Sequence, residues 1–388
     1  MAYFDIRKKD ADSQARLGVI HTAHGDIETP AFLPIGTKAA VKTVTPEELK
    51  FWGAQILLAN TYHLWQRPGD GLIYKAGGLH GFMNWKGPIF TDSGGYQVYS
   101  LAKFRKTMEA GVLFQFDLDG REAILSPEKS VDIQANLGSD IALILDDLPP
   151  FPFDYDRCKE SIELTKRWAE RAVVEFKKII EDGDPINPGQ KQWGIVQGAS
   201  FKDLREQSAK DMVALGFPGF AVGGVAVGEP HEEMMKAILY CEPYLPKDAP
   251  KHLLGVGTPF NIVNAVSLGM DTFDCVIPTR EARHGRLYVT AKSLDASAKG
   301  GYGTIDIRLE KYKEDFTPID SQCNCYTCVN HTKAYVRHLF QTGEPLAERL
   351  ATMHNLRFYL NLMTEIRKSI EFEYFSEFLT DFKELSRF

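Results

Sequence analysis

Short apolar segments alternate with amphipathic ones between residues 31 and 280, and this alternation constrains the fold more than any other feature of the sequence. The amphipathic segments carry helix signals, several with Pro or Glu near the start and Gly at the end. The apolar segments have the length of strands and lie at residues 31–36, 55–61, 88–93, 141–147, 192–198, 219–225, 252–257 and 270–278. Eight such units in about 250 residues predict an α/β fold, a (β/α)8 TIM barrel. A doubly wound sheet has the same alternation and is the alternative.

Two segments interrupt this alternation. Residues 111–127 alternate apolar and polar side chains on both sides of Asp119-Gly120, which predicts an inserted β-hairpin. From about residue 300 the pattern becomes that of helices, which run nearly to the C-terminus. We therefore predict a catalytic barrel with insertions at residues 1–300. Residues 301–388 are predicted to form a zinc-binding helical subdomain packed on the barrel.

The charge and the hydropathy of the chain exclude two classes of protein. The 388 residues include 45 Lys and Arg against 52 Asp and Glu, and the formal net charge is -7. This balance argues against a protein that coats nucleic acid nonspecifically, and it leaves room for a local basic patch. The sequence has no apolar run near the roughly 18 residues that cross a bilayer, and its first residues lack the apolar core of a signal peptide. We expect a cytoplasmic protein without a membrane partner.

Three cysteines lie close together near the C-terminus. Cys323, Cys325 and Cys328 form a C-x-C-x-x-C motif, which is typical of a structural zinc site rather than of a disulfide framework. A tetrahedral site needs a fourth ligand, and the sequence offers two histidines. His331 is nearest in the chain, whereas His354 would close a longer loop.

Two carboxylates follow strands of the predicted barrel. Asp92 follows the third strand and Asp274 lies in the eighth, so both are expected at the C-terminal mouth, where barrels carry their catalytic residues. A nucleophile and an acid/base at one mouth are what double displacement at a sugar anomeric carbon requires. The alternatives are a helix cap for Asp92 and an ion-pair partner of Arg280 or Arg283 for Asp274.

Further polar residues at the same mouth suit a nucleobase. Asp146 could accept hydrogen bonds from the N–H groups of guanine, and Gln197 could donate to its carbonyl oxygen. Tyr96, after a glycine pair, offers an aromatic face to a flat ligand. A helix cap for Asp146 and a structural amide for Gln197 are the simpler alternatives.

Basic residues are concentrated directly after Asp274. Arg280, Arg283 and Arg286 follow it within a short segment. Beside a glycosyl site they would suit the phosphates of an RNA, although a solvated charged loop is the common explanation.

Several motifs together resemble one family over residues 15–385. They are NTYHL from residue 60, TDSGGYQV from 91, LSPE from 125, GSDI from 138, VQG from 196, GFAVGG from 219, GVG from 255, FDCVIPTR from 273 and CNCYTC from 323. In this combination the sequence resembles the bacterial tRNA-guanine transglycosylases, also called queuine tRNA-ribosyltransferases.

The resemblance implies a zinc-containing barrel that acts on the anticodon loop of tRNA as a homodimer. Such an enzyme exchanges the wobble guanine for a 7-deazaguanine base in queuosine biosynthesis. The resemblance makes Asp274 the nucleophile and Asp92 the general acid/base. It assigns a base pocket to Ser93, Tyr96, Asp146, Gln197, Gly224 and Val225, and the zinc ligands to Cys323, Cys325, Cys328 and His354.

Two pocket positions depart from the pattern of enzymes that use the 7-aminomethyl base. Leu148 stands where these enzymes usually have Cys, and Val225 where they usually have Leu, while Val227 resembles the bacterial form. We expect the 7-aminomethyl base, with queuine as the alternative.

Two rival functions are a barrel glycoside hydrolase and the noncatalytic partner subunit of a heterodimeric transglycosylase. The noncatalytic subunit should lack the nucleophile.

Overall fold

The chain folds around an eight-stranded parallel barrel, as the alternation predicts. The computed structural model describes residues 2–101, 104–116 and 119–385. Each predicted apolar segment coincides with one barrel strand, although two strands begin one residue earlier than predicted. In chain order the strands β1 to β8 are Ala31–Leu33, Leu57–Ala59, Ile89–Thr91, Ile141–Leu143, Lys191–Val196, Phe220–Val222, Lys251–Leu253 and Thr272–Asp274.

The strand order shows that the sheet closes on itself. Hydrogen-bonded neighbours run in the order β1-β8-β7-β6-β5-β4-β3-β2, and every pair is parallel. Between β2 and the residues after β1, the Gly36 N–H donates to the Leu58 carbonyl at 2.7 Å and the Leu58 N–H donates to Pro34 at 3.0 Å. These bonds join the two ends of the sheet. The fold is therefore a barrel and not a doubly wound sheet.

Helices connect the strands and cover the barrel. The first of them is held by a capping box, in which Thr45 accepts from the Glu48 N–H and the Glu48 side chain accepts from the Thr45 N–H. The connecting helices are Pro46–Phe51, Thr61–Gln66, Asp70–Lys75, Gly78–Met83, Gly95–Leu101, Pro127–Leu137, Tyr155–Asp182, Lys202–Ala214, His231–Cys241, Pro259–Ser267 and Ile277–Arg283, with a 3-10 turn at Glu242–Tyr244. No helix in the described part of the chain combines the length and the apolar character needed to cross a membrane.

The predicted hairpin is confirmed, and a third strand extends it. Strand Gly111–Gln115 pairs antiparallel with Glu122–Leu125 on one side and with Arg105–Met108 on the other. Asp117 and Leu118 in the predicted turn lie outside the described residues. Phe114 contacts Tyr62 at 5.6 Å between ring centroids, and Phe116 contacts Trp65 at 5.0 Å. These contacts anchor the insertion to the helix after β2.

A second antiparallel sheet, at the N-terminus, lies beside the barrel. It consists of Phe4–Lys9, Arg16–Thr22 and Gly25–Thr29. The buried Arg16 guanidinium forms an ion pair with the fully buried Asp271, directly before β8, at 2.6 Å. Hydrogen bonds at both ends of this pair compensate for the cost of burying the two charges.

The C-terminal part supplies the last helix of the barrel. Tyr359 on helix Pro345–Glu371 packs against Phe32 of β1 at 5.0 Å between ring centroids, and its hydroxyl donates to the Gly257 carbonyl. The remaining elements are strands Arg286–Thr290 and Tyr302–Asp306, helices Ala291–Leu294, Tyr326–Asn330, Lys333–Thr342 and Phe375–Asp381, and a 3-10 turn at Glu310–Tyr312. The two strands pair antiparallel across residues 300 and 301. The predicted division into two domains between residues 300 and 301 stays a prediction.

Candidate active site and metal centre

A cavity of about 510 Å³ opens at the C-terminal ends of the barrel strands. Its polar wall comes from residues that directly follow the strands, as expected of a barrel mouth. Among the residues predicted from the sequence, those that line it are Asp92, Ser93, Tyr96, Asp146, Gly224, Val225, Asp274 and Arg280. The cavity thus brings together both carboxylates of the predicted acid pair and most of the predicted base pocket.

Asp92 is suited to give and to take a proton. One of its carboxylate oxygens accepts from the Asn60 side-chain amide, and the other accepts from the Thr61 N–H at 2.9 Å. Its removal from water raises its pKa to about 6, and the charge of Asp274 adds to this effect, against the opposing hydrogen bonds. A carboxyl group with such a pKa is populated in both forms near neutral pH. Thr61 is the first residue of helix Thr61–Gln66, whose N-cap is Asn60, so Asp92 also contacts the start of an earlier helix.

Asp274 is the last residue of β8 and is held by groups of the neighbouring strand. Its Oδ1 accepts from the Gly255 N–H at 3.0 Å and lies 3.0 Å from His252 Nε2. Within the described residues, Asp274 forms no ion pair with Arg280 or Arg283. The side chain therefore faces the cavity rather than serving as an arginine partner.

Asp146 is oriented by an amide beneath it. Its Oδ2 accepts from Gln197 Nε2 at 2.5 Å, and Ser93 Oγ lies 3.5 Å from Oδ1. Removal from water raises the pKa of Asp146 to about 6, and the nearby charge of Asp147 acts in the same direction. Gln197 is fully buried and is not part of the cavity lining. In this structure Gln197 contacts Asp146, and its contact with a base stays a prediction.

The glycine pair after β6 lets the backbone lie directly over Gln197. Gly224 has φ +65, and a Cβ at this position would come within 2.4 Å of Gln197 Oε1. Only a residue without a side chain fits both the conformation and the contact. Tyr96 stands at the cavity rim with 52% of its surface exposed, so its ring is accessible to a flat ligand.

If Asp146 is the base-binding carboxylate that the resemblance implies, its raised pKa predicts how affinity for a free base depends on pH. Below about pH 6 the carboxyl becomes protonated and accepts fewer hydrogen bonds, so KM for guanine is expected to rise as pH falls from about 8 to about 5. Steady-state kinetics over this range measures the effect. Asp146→Asn, which cannot titrate, should bind guanine weakly at every pH. A KM for guanine that does not change with pH in the unaltered protein would contradict this expectation.

The three predicted arginines differ in their surroundings. Arg280 is exposed and lines both the cavity and a neighbouring shallow pocket. Arg286 lines only the shallow pocket and pairs with Glu281 at 3.2 Å, whereas Arg283 is half-buried and donates to a carbonyl of its own helix. Arg308 also lines the shallow pocket. The sequence interpretation missed it because Arg308 comes from the following strand pair.

The cysteine cluster is completed by a histidine of the last barrel helix. Its ligand atoms all lie within 4.8 Å of one another and belong to Cys323, Cys325, Cys328 and His354. Cys328 Sγ is 3.2 Å and Cys325 Sγ 3.6 Å from His354 Nδ1. His331 is not part of the cluster and stacks on Tyr335 at 5.0 Å instead. The spacing of the motif allowed either histidine as the fourth ligand, and His354 is the one that lies beside the three cysteines.

The orientation of His354 fits a metal ligand. Its Nε2 lies 2.7 Å from the Tyr288 carbonyl oxygen, so Nε2 carries the proton and donates it there. The lone pair of Nδ1 is then directed toward the sulfur atoms, as in metal sites where a carbonyl fixes the histidine tautomer. Three thiolates and one imidazole at these distances can hold a tetrahedral metal ion.

A second histidine cluster lies at the opposite end of the barrel. Asp140, before β4, contacts His24 at 2.8 Å and His80 at 3.4 Å, and it accepts from the Ile89 N–H. His80 Nε2 also lies 3.1 Å from the Gly87 carbonyl oxygen, so this nitrogen carries a proton and has no lone pair for a metal. The cluster is therefore a hydrogen-bonded support of the barrel.

Sequence reasoning missed two polar residues of the site. Gln97 lines the cavity and affects Asp92, and the buried His252 contacts Asp274. His252 lies within β7 rather than after it, so attention to strand ends alone does not find it. The usable signal was a histidine at the start of the otherwise apolar segment 252–257.

Comparisons with known proteins agree with the motifs. The sequence model of the family described as queuine tRNA-ribosyltransferase matches residues 10–387. A protein of this name from Lactococcus lactis subsp. cremoris (strain SK11) is 49% identical over 382 residues, which cover 98% of this chain and 95% of that protein. With the same coverage, the proteins of this name from Streptococcus uberis and Bacillus subtilis (strain 168) are 50% and 47% identical over 381 residues. The chain therefore belongs to the queuine tRNA-ribosyltransferase family.

Proposed function

We propose that this protein replaces the wobble guanine of tRNA by a 7-deazaguanine base in queuosine biosynthesis, through a covalent intermediate on Asp274. The enzymes of its family are pentosyltransferases that act on tRNA. The observation that carries the detailed proposal is the single cavity shared by Asp92, Asp146 and Asp274. It combines an acid pair for glycosyl chemistry with a third carboxylate for the base.

The reaction proceeds as two displacements at the ribose anomeric carbon. In the first, a carboxylate oxygen of Asp274 bonds to C1′ while the bond from C1′ to guanine N9 breaks, and protonated Asp92 gives its proton to the departing base. In the second, Asp92 takes the N9 proton of the incoming base, which attacks C1′, and Asp274 leaves as a carboxylate. Two inversions retain the anomeric configuration.

The base is recognised by groups after the ends of four strands, β3 to β6. Asp146 accepts hydrogen bonds from N–H groups of the base, and Tyr96 stacks on its face. Gln197 and Ser93 hold the Asp146 carboxylate in place. Gly224 permits the close approach of the backbone on this side.

Exchange of labelled guanine into tRNA tests the proposal. Incubation with unmodified tRNA and radiolabelled guanine should transfer label to the RNA, and a glycoside hydrolase would transfer none. A noncatalytic partner subunit would also give no label, but the presence of both Asp92 and Asp274 argues against that role. Absence of label from tRNA that an active relative does label would refute the proposed exchange.

The metal of the C-terminal cluster is proposed to be zinc, one ion per chain. Cys323, Cys325, Cys328 and His354 supply the sulfur and nitrogen ligands that zinc prefers, and together they complete a tetrahedral shell. A closed shell of this kind supplies structural cross-linking and has no open position for a substrate.

We also propose that the protein is a homodimer that joins near the metal cluster. Phe51, Tyr326 and Val329 are 87%, 53% and 69% exposed, more than apolar side chains of this size usually are. Arg357 links the segment of Phe51 to the segment of Tyr326, because it donates to the Trp52 carbonyl and to the Asn324 side chain. Analytical ultracentrifugation tests the proposal, with dissociation expected for Val329→Glu.

The cytoplasmic location of the protein stays a prediction.

The incoming base is proposed to be the 7-aminomethyl form. Val225 and Leu148 line the cavity, and Val225 leaves more space than the usual Leu. We expect kcat/KM for the 7-aminomethyl base to equal or exceed that for queuine on one tRNA. A preference of about tenfold for queuine, or about 1.4 kcal/mol in transition-state binding, would reverse the assignment. Val225→Leu and Leu148→Cys then show which residue causes the preference.

Arg280 and Arg286 are expected to bind phosphates of the anticodon loop. Replacing either with Ala should weaken tRNA binding and reduce the slope of log affinity against log salt by about 0.7 for each lost phosphate contact. Fluorescence titration at several salt concentrations measures both effects. Lys177→Ala, on the outer helix Tyr155–Asp182, is the matched control because it also removes one exposed positive charge. It should change neither the affinity for tRNA nor the salt slope. Unaltered salt slopes in both arginine variants would remove this segment from the RNA interface.

A further inference from the structure

His252 connects β7 to β8, the strand that carries the candidate nucleophile. It lies in β7, is paired in register with Thr272 of β8, and is fully buried. Its Nδ1 lies 2.9 Å from Thr272 Oγ1 and its Nε2 lies 3.0 Å from Asp274 Oδ1. The Phe90 ring covers the imidazole at 4.7 Å between centroids. The contacts to the two nitrogens fix the position of this side chain, and the Phe90 ring only packs against its face.

The contacts of the imidazole also determine where its proton lies. A carboxylate oxygen can only accept, so Nε2 of His252 donates to Oδ1 of Asp274. In the neutral ring, Nδ1 then accepts from the Thr272 hydroxyl. A buried donor in this tautomer is available to the carboxylate without any rearrangement.

Both hydrogen bonds to Asp274 are made to the same oxygen. Oδ1 accepts from His252 and from the Gly255 N–H, each at 3.0 Å. Among the hydrogen bonds formed by the described residues, none ends at Oδ2. The carboxylate therefore has one held oxygen and one that is left for another reaction partner.

We infer that His252 is a positioning residue for Asp274, and that Oδ2 is the oxygen that attacks the ribose. This inference rests on the proposed function. In the first displacement the bond from Oδ2 to C1′ forms and the bond from C1′ to N9 breaks, and Oδ1 becomes the ester carbonyl oxygen. In the second, the bond from C1′ to Oδ2 breaks and its electron pair returns to the carboxylate. The donors on Oδ1 stabilise the charge that returns in this step.

Two substitutions separate positioning from packing. His252→Leu removes the donor and keeps an apolar side chain, and we expect it to lower kcat about 10²-fold, as loss of one donor to a developing charge does elsewhere. His252→Gln offers an amide N–H in place of Nε2 and should restore at least about tenfold of that loss. Affinity for tRNA should stay within about twofold in both, because the contact acts on the chemical step.

Phe90→Leu is the control for packing around the ring. It leaves every hydrogen bond of His252 in place, so it should lower thermal stability but leave kcat nearly unchanged. If His252→Leu does not fold, Thr272→Val provides the second variant, because it removes only the hydroxyl that fixes the tautomer and should lower kcat by a smaller factor. Equal losses of kcat in His252→Leu and His252→Gln, or an unchanged kcat in Thr272→Val, would overturn the inference.

The outcome distinguishes the inference from the function on which it rests. If the unaltered protein does not exchange guanine, the proposed function fails. If it exchanges guanine and Asp274→Asn does not, but His252→Leu retains full kcat, only the positioning role of His252 is wrong.

Discussion

Asp274→Asn is expected to reduce guanine exchange by about 10⁴-fold or more, equivalent to at least about 5.5 kcal/mol of activation free energy. The reason is chemical rather than structural. The Asn carbonyl oxygen can accept from His252 and Gly255 as Oδ1 does, which places a non-nucleophilic NH₂ group at the position of Oδ2. The fold and the affinity for tRNA should therefore be retained.

Denaturing electrophoresis provides the direct measurement. The unaltered protein, incubated with tRNA and a guanine analogue, should give an adduct that migrates as protein plus RNA, and Asp274→Asn should give none. Tyr96→Phe is a suitable control within the same cavity, since it preserves the aromatic face and should still form the adduct. An adduct of normal yield in Asp274→Asn would mean that another group is the nucleophile.

Loss of a metal ligand is expected to have the second large effect. His354→Ala or Cys325→Ala should lose the ion and unfold the C-terminal part, because structural zinc sites contribute roughly 10 kcal/mol or more. The cluster fastens the loop at residues 323–328 to helix Pro345–Glu371, which packs on β1. Removing the ion thus disturbs the barrel as well as the loop.

Metal analysis and hydrogen exchange test this expectation together. Both variants should contain little zinc, and the amides of helix Pro345–Glu371 should exchange faster than in the unaltered protein. His331→Ala is the matched control and should keep both its metal and its protection, since His331 lies outside the cluster. A zinc-free variant with a native fold and dimer would refute a structural role. Retention of zinc in His354→Ala would restore His331 as a ligand.

The sequence predicts the barrel because each strand lies in or next to a short segment that is mostly apolar and mostly buried. It does not reveal strand Arg105–Met108, which is largely exposed and exists because it pairs with Gly111–Gln115. The N-terminal sheet was likewise not predicted, since its strands pair with one another beside the barrel and lie outside the strand-helix repeat. Pairing partners, unlike burial, leave only a weak signal in the local sequence.

The candidate site was predicted where a residue follows a strand. Asp92 and Asp146 follow strands and Asp274 ends one, which brings all three to the cavity, and local spacing identified three residues of the candidate metal site. The choice of His354 over His331 depended on how a distant helix packs, which spacing alone does not specify. Gln197 lies deeper than expected because Gly224 allows the backbone to cover it.

The late position of helix Pro345–Glu371 in the chain affects how the barrel folds during synthesis on the ribosome. A nascent chain that ends near residue 300 already contains all eight barrel strands, yet the helix that covers β1 has not been made. Until Tyr359 emerges, Phe32 lacks the ring that packs against it, and apolar surface of β1 stays uncovered. Such exposed surface is where chaperones bind and where incomplete chains associate. We therefore expect the barrel to be protected from aggregation only once helix Pro345–Glu371 has been synthesised.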